Sequence, residues 1–145
     1  MDTLMKYRNL GLKLTPQRLA ILEYLEGNTS HPSAEDIYRK VHNEFPTMSL
    51  ATVYSTLSAL KVKGNVLELT VDPDKKRYDP NTNMHNHLIC IQCKTIIDIP
   101  GAGSVALPED LGQDFAVFKS HVEFYGLCPS CKKKAKAKEE DSHVR

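Results

Sequence analysis

The segment Cys90-Ile91-Gln92-Cys93 is followed, after 34 intervening residues, by a second segment of the same form, Cys128-Pro129-Ser130-Cys131. Two residues between thiolates allow both sulfurs of a tight turn to face one tetrahedral ion, and two such turns supply four sulfur ligands. All four cysteines of the chain are then used, and structural zinc is the predicted occupant. Two disulfides, a redox-active pair and an iron–sulfur cluster are the alternatives that the spacing leaves open.

The composition is that of an ordinary globular chain. It has 145 residues, 41% hydrophobic and 26% charged, with 19 basic against 18 acidic side chains. This near neutrality excludes a polybasic nucleic-acid-binding coat, so any DNA binding must come from a local surface. There is no uninterrupted apolar stretch of about 18 residues, and the amino-terminal residues lack the apolar region of a signal peptide. We therefore expect a cytoplasmic protein with no membrane partner.

The first part of the chain carries three helix-start signals, each a capping residue before an apolar pattern. The capping residues are Thr15, Ser33 and Ser49, and the third helix should run from Ser49 to about Lys63. Two short strands, residues 66–70 and 76–78, should follow as a hairpin. Three helices followed by a hairpin is the order of a winged helix, in which the third helix reads DNA.

The third predicted helix has an unusual outward face. Small side chains occupy it, namely Ala51, Ser55, Ser58 and Ala59, whereas a merely solvated face would carry Glu and Lys. We therefore expect a macromolecular partner to approach this face of the helix closely, either the major groove of DNA or another protein surface. For DNA, the candidate contacts are Lys13 and Arg18 to phosphates, and Thr52, Tyr54 and Ser55 on the helix.

From Asn86 onward the pattern changes to short strands. They are predicted at 87–90 and 95–99 and in a run from Phe115 to Tyr125, with a short helix at 108–111. We place the boundary near Asp79-Pro80-Asn81, which gives a winged-helix domain at residues 1–79 and a small α/β domain at residues 80–145. The fold class is therefore α+β, and the four cysteines act as the staple that so small a domain needs. The lysine-rich tail after Cys131 should begin as a helix and then fray.

A second candidate metal site uses histidine and aspartate. His85 and His87 stand two residues apart in a predicted strand, so both imidazoles can face one ion. Asp79 lies upstream, Asp98 downstream, and His31 far away in the sequence. Nitrogen and carboxylate ligands suit iron(II), manganese(II) or zinc(II), and ordinary surface histidines are the alternative.

Five segments form a specific combination that spans nearly the whole chain. They are LTPQR (14–18), HPSAEDIY (31–38), SLATVY (49–54), HNHLICIQC (85–93) and EFYGLC (123–128). In this combination the chain resembles the ferric uptake regulator superfamily of metal-dependent repressors, and most closely its peroxide-sensing branch.

The resemblance implies a homodimer that binds palindromic operator DNA when a regulatory metal is present. Structural Zn²⁺ would be held by Cys90, Cys93, Cys128 and Cys131 in an α/β dimerisation domain. The regulatory Fe²⁺ or Mn²⁺ would be held by His31, Asp79, His85, His87 and Asp98. In the peroxide-sensing branch, peroxide reacts with bound iron(II) and oxygen is added to a ligand histidine, for which His31 and His85 match the targets. Asp98 favours this branch, because iron-uptake relatives usually have glutamate there.

Three other functions stay open on the sequence. One is an iron- or manganese-responsive uptake repressor of the same family without peroxide sensing. Another is a small non-haem iron enzyme, because two histidines and a carboxylate are the ligands of the facial triad. The third is a zinc-stapled protein-interaction module in which His85 and His87 bind nothing.

Overall fold

The computed structural model describes residues 3–100 and 105–143. Its helices are α1 (Thr3–Tyr7), α2 (Pro16–Leu25), α3 (Ala34–His42), α4 (Leu50–Val62), α5 (Glu109–Gly112) and α6 (Pro129–His143). Its strands are β1 (Leu67–Leu69), β2 (Arg77–Asp79), β3 (Asn86–Cys90), β4 (Ile96–Ile99) and β5 (Glu123–Gly126). The chain divides into two units, residues 1–82 and 83–145. Over the described ranges, none of these helices combines the length and apolar character needed to cross a bilayer.

The three helices expected in the first unit begin at the predicted caps. The side chains of Thr15, Ser33 and Ser49 each accept a hydrogen bond from the backbone N–H three residues on, at 3.1–3.2 Å. Ser33 and Asp36 also form the reciprocal capping box. These bonds satisfy N–H groups that a helix start otherwise leaves without an intrahelical acceptor.

Helices α2, α3 and α4 pack their apolar faces into one core. Ile21, Ile37 and Leu57 are at most 1% exposed in it. Ala59, which we expected on the outward face of α4, packs against this core instead. Thr56 is also fully buried, so the buried face of α4 includes polar as well as apolar side chains.

Helix α1 is an element that the sequence did not predict. Its position depends on tertiary contacts with the residue that follows α2. Tyr7 is 5% exposed and its hydroxyl donates to Glu26 at 3.2 Å, while the Lys6 ammonium group lies 2.8 Å from the same carboxylate. A helix of five residues is too short to persist by propensity alone.

The first unit ends in the expected hairpin. Strands β1 and β2 pair antiparallel, with Leu67 opposite Asp79. The carboxylate of Glu68 lies 3.1 Å from Lys61 and 3.2 Å from Lys76, which ties the hairpin to α4. Helices followed by a two-stranded hairpin confirm the predicted winged-helix order.

The second unit is built on a sheet of order β4-β3-β5, in which β3 pairs antiparallel with β4 and parallel with β5. The prediction of a strand beginning at Phe115 is wrong, because only Glu123–Gly126 is a strand. The parallel register places only these residues beside β3, and backbone without a neighbouring strand has no ladder to join. Phe115 and Phe118 are consequently 75% and 91% exposed.

Helix α6 differs from its prediction at both ends. It begins at Pro129, inside the second cysteine pair, and continues to His143 instead of fraying. Proline is favoured at the first helical position, and the N–H of Cys131 approaches the Cys128 sulfur at 3.5 Å. The cysteine pair is therefore itself the start of the helix. The outcome confirms the α+β class, with a helical first part and an α/β second part that holds the cysteines.

Candidate metal centres and nucleic-acid interface

The four cysteine sulfurs form one cluster in the second unit. Each sulfur lies within 4.8 Å of the others. Cys90 ends β3, and the following turn closes where the N–H of Lys94, at φ 64°, donates to the Cys90 carbonyl at 3.0 Å. Parallel pairing of β5 with β3 brings the second pair alongside, and the N–H of Cys128 donates to the Cys90 sulfur at 3.3 Å.

The sulfur spacing fits tetrahedral zinc. A Zn–S distance of about 2.3 Å gives an edge of about 3.8 Å between neighbouring sulfurs. The sulfurs of Cys93 and Cys128 are 3.8 Å apart. Disulfide sulfurs would lie about 2.05 Å apart, and all four cysteines are free thiols.

The surroundings shift the pKa values of the cysteine thiols in different directions. Backbone N–H groups of Cys93 and Cys128 lower the pKa of Cys90 to about 6. The adjacent Cys128 side chain raises the pKa of Cys131 to about 12. Four neighbouring thiolates repel one another, so a divalent cation is what allows all of them to be deprotonated together.

In the first unit, His31 and Asp79 form a buried pair. The Nε2 atom of His31 lies 3.3 Å from an Asp79 carboxylate oxygen, and both side chains are at most 1% exposed. Strand β2 carries Asp79 to this position because the N–H of Tyr78 donates to the Pro32 carbonyl at 2.9 Å.

The His31 loop is held by a second residue of the same strand. The Arg77 guanidinium donates to the His31 carbonyl. His31 has a φ of 51°, a left-handed conformation that residues other than glycine seldom adopt. The hydrogen bonds from β2 therefore impose the loop geometry that aims the imidazole.

In the second unit, His85 and His87 share one carboxylate oxygen. Their Nε2 atoms lie 3.1 and 3.2 Å from the same oxygen of Asp98. The register of β3 and β4 places His87 directly opposite Asp98, and the two imidazole centroids are 4.6 Å apart. The prediction that both imidazoles lie on one face is confirmed.

The hydrogen bonding of His85 favours a cation beside Asp98. The Nδ1 atom of His85 lies 2.6 Å from the Asn83 carbonyl, so Nδ1 carries the hydrogen. In a neutral ring, Nε2 then presents a lone pair to the Asp98 oxygen 3.1 Å away. Two facing acceptors need a proton or a metal ion between them. Ligands about 2.1 Å from one ion lie about 3.0–3.4 Å apart, and the observed spacing fits this range.

The candidate DNA-facing residues of α4 lie on its outward side. Tyr54 is 43% exposed, and its hydroxyl donates to the Glu35 carboxylate at 2.9 Å. Ser55 is exposed and its hydroxyl donates to the Thr52 carbonyl at 3.0 Å. Thr52 is half-buried, so it lies at the edge of this face.

The two candidate phosphate contacts lie at and just before α2. The Lys13 side chain is exposed. Arg18 is half-buried, and one of its guanidinium nitrogens donates to the Lys13 carbonyl at 2.7 Å. Arg18 thus also braces the chain that precedes α2.

Sequence reasoning missed Glu35 and Arg77. Their partners, Tyr54 and His31, are 19 and 46 residues away, and no local pattern encodes such pairings. The one available signal for Glu35 is its place in the first turn of a capped helix, where acidic residues are favoured.

Comparison with known proteins gives concordant matches. Residues 9–125 match the ferric uptake regulator family. The chain is 38% identical over 135 residues to the peroxide-responsive repressor PerR of Staphylococcus aureus, covering 92% of this chain and 91% of the relative. It is 40% identical over 135 residues to the peroxide operon regulator of Bacillus subtilis, covering 92% and 93%.

A solved structure of a ferric uptake regulator is also similar to this chain. The ferric uptake regulator from Francisella tularensis with iron is similar at a TM-score of 0.70 and 28% identity, covering 84% of this chain and 96% of that one.

Proposed function

Because the chain belongs to the ferric uptake regulator family, we propose that it is a homodimeric repressor of palindromic operator DNA that senses hydrogen peroxide. Family membership makes it a metal-dependent transcriptional regulator and not an enzyme, so the small non-haem iron enzyme is discarded. Binding to chromosomal operators would place it in the cytoplasm, without a membrane partner.

The proposal assigns two metals to two sets of ligands. Zn²⁺ would be structural and held by the four cysteines, whose sulfur spacing supports that occupant. The proposed ligands of one regulatory Fe²⁺ or Mn²⁺ are those that the family resemblance implies: His31, Asp79, His85, His87 and Asp98. The observation that carries this assignment is the pair of imidazoles on a single Asp98 oxygen, which suits a cation bound by nitrogen and oxygen.

The DNA-binding part of the proposal is supported by α4. From Ala51 to Ser58 its outward residues are small and uncharged, apart from the exposed phenol of Tyr54, and such a face can enter the major groove closely. Lys13, Arg18, Thr52, Tyr54 and Ser55 are the proposed contacts.

The homodimer is supported by apolar side chains left exposed on the second unit. Leu88 is 44% exposed, and the strand register places it opposite Ile97 and Phe124, which are 49% and 51% exposed. A contiguous exposed apolar row on a soluble protein usually marks a contact surface. A second copy of the chain is the proposed occupant.

The peroxide response would be a change in the protein's own ligands. When bound, iron(II) would catalyse the transfer of two electrons from a nearby imidazole to peroxide, whereas manganese(II) would not. The net change on the chain is the addition of one oxygen atom from peroxide to the imidazole of His31 or His85, with water as the other product. An imidazole altered in this way is a poorer ligand, so DNA binding should be lost.

Mass spectrometry of metal-loaded protein tests this proposal. Iron(II)-loaded and manganese(II)-loaded protein would each be treated with dilute hydrogen peroxide, digested and analysed, with binding to a selected duplex followed in parallel. We expect one added oxygen at His31 or His85 in the iron form alone, together with loss of binding. The exposed residue His121 is an internal control that should stay unmodified.

The second candidate function is a metal-uptake repressor of the same family. It would show no oxygen addition in either form, and its DNA binding would follow metal concentration alone. That result would overturn peroxide sensing and leave the family assignment standing.

A further inference from the structure

The phenol of Tyr54 is the largest exposed side chain on the outward face of α4, and an acidic residue holds it. Its hydroxyl donates to the Glu35 carboxylate at 2.9 Å. Glu35 belongs to the neighbouring helix α3, so the contact bridges two helices of the first unit and does not depend on the conformation of α4 alone.

Glu35 is itself well fixed. It is the second residue of α3, directly between the two members of the capping box formed by Ser33 and Asp36. The Ser33 hydroxyl accepts the Asp36 N–H at 3.1 Å, and the Asp36 carboxylate accepts the Ser33 N–H at 3.0 Å. A carboxylate in the first turn is also favoured by the partial positive charge of a helix start. The backbone of Glu35 is therefore fixed at the start of α3, and its carboxylate is an anionic acceptor held by the Tyr54 hydroxyl.

This arrangement restricts what Tyr54 can do on DNA. A phenol has one O–H hydrogen to donate, and here that hydrogen is directed to Glu35. Phosphate oxygens accept hydrogen bonds, so they need a donor, and a nearby carboxylate also repels them. Base edges place no such demand on the phenol, because its ring can contact an apolar group and its oxygen can still accept a hydrogen bond.

We infer that Glu35 is a specificity-determining positioning residue, which holds Tyr54 away from the phosphate backbone and directs it to base edges in the major groove. The inference rests on the proposed DNA-binding function. Lys13 and Arg18 then supply the phosphate contacts, which carry no sequence information. Tyr54 then discriminates between base sequences, because Glu35 holds its side chain at the base edges.

The test is a double-mutant cycle on sequence discrimination. Wild-type protein loaded with manganese(II) would first select a duplex from a random-sequence library. Binding of the selected duplex and of the same duplex with its bases shuffled would then be measured for wild type, Glu35→Ala, Tyr54→Phe and the double variant. Glu44→Ala, at an exposed glutamate of the same unit, controls for net charge.

We expect each single variant to lower the ratio of selected to shuffled affinity by about tenfold, the effect of one lost charge-assisted hydrogen bond. The double variant should lose no more than either single variant, because both remove the same interaction. The ratio compares two duplexes on the same protein sample, so a change in the folded fraction does not alter it. Glu44→Ala should keep the wild-type ratio.

Two results would overturn the inference: a wild-type ratio in Glu35→Ala, or losses in the single variants that multiply in the double variant. Failure of the proposed function would look different, because wild-type protein would then enrich no sequence from the library at all.

Discussion

The Nε2 atom of His85 lies 3.1 Å from a carboxylate oxygen of Asp98, although the other nitrogen of the same ring is already hydrogen-bonded to the Asn83 carbonyl. His87 reaches the same Asp98 oxygen at 3.2 Å. One oxygen therefore serves two imidazoles, and Asp98 holds the candidate ligands of the second unit together.

Asp98→Ala should weaken manganese(II) binding by roughly 100-fold, because a direct ligand is lost and both imidazoles lose the group that orients them. Titration calorimetry on zinc-replete protein would measure the change. Asp114→Ala, at an exposed aspartate of the same unit, should leave the affinity unaltered. An unchanged affinity in Asp98→Ala would remove this residue from the regulatory site.

Asp98→Glu tests the reason for placing the protein in the peroxide-sensing branch. The longer side chain keeps a carboxylate ligand but shifts its oxygen, so metal-dependent DNA binding should persist while oxygen addition to His31 and His85 declines. Peptide mass spectrometry after peroxide treatment of the iron(II) form would quantify the modification. Oxidation at the wild-type level would show that peroxide sensing does not depend on this aspartate.

Cys93→Ser should abolish zinc binding and unfold the second unit. Structural zinc contributes about 10 kcal/mol or more in small domains, which exceeds the stability that so small a core provides. Elemental analysis and circular dichroism would record the loss of metal and of structure. Ser130→Ala, between Cys128 and Cys131, should keep both, and a folded, zinc-free Cys93→Ser protein would contradict a structural role for the cluster.

Leu88→Lys should dissociate the homodimer, because it places a charge in the middle of the exposed apolar row formed with Ile97 and Phe124. Light scattering on the size-exclusion eluate should report the mass of a single chain. Val62→Lys is the matched control, since this residue is 84% exposed but lies in the first unit. A Leu88→Lys protein that keeps the dimer mass would place the interface elsewhere.

Glu35→Gln should lower the pKa of the Tyr54 phenol. The Glu35 carboxylate accepts the phenol hydrogen, which stabilises the neutral form and raises the Tyr54 pKa above its ordinary value of 10.0. Removing the charge removes that stabilisation, so ionisation should begin at lower pH. NMR of ring-labelled tyrosine through an alkaline titration would follow it, with Tyr125 as the reference, since the pKa of its phenol is raised by a hydrogen bond to Glu123 and not by Glu35. An unshifted Tyr54 would mean that the contact does not persist in solution.

The helical first unit could be predicted closely from the sequence because its signals are local. Each of the three helix starts is marked by a capping residue whose hydrogen bond spans only three residues: Thr15, Ser33 and Ser49. The shared face of His85 and His87 was likewise predictable, since it follows from the two-residue period of a strand.

The predictions failed where structure depends on distant partners. The alternation from Phe115 onward looks like a strand, but only the residues placed beside β3 find a ladder to join. Helix α1 depends on Glu26, which lies 19 residues beyond Tyr7. The Glu35–Tyr54 contact likewise depends on a distant partner. Packing of α3 against α4 creates it, and the sequence of neither helix alone predicts it.

The parallel pairing of β3 with β5 also has a consequence for biosynthesis. Cys90 is made 38 residues before Cys128, and at about 5–20 residues per second this interval lasts roughly 2–8 s. During that time the first two thiols exist without the two that complete the zinc site. The four-sulfur zinc shell can therefore be completed only after Cys131 has been made, so zinc acts late in the folding of the second unit.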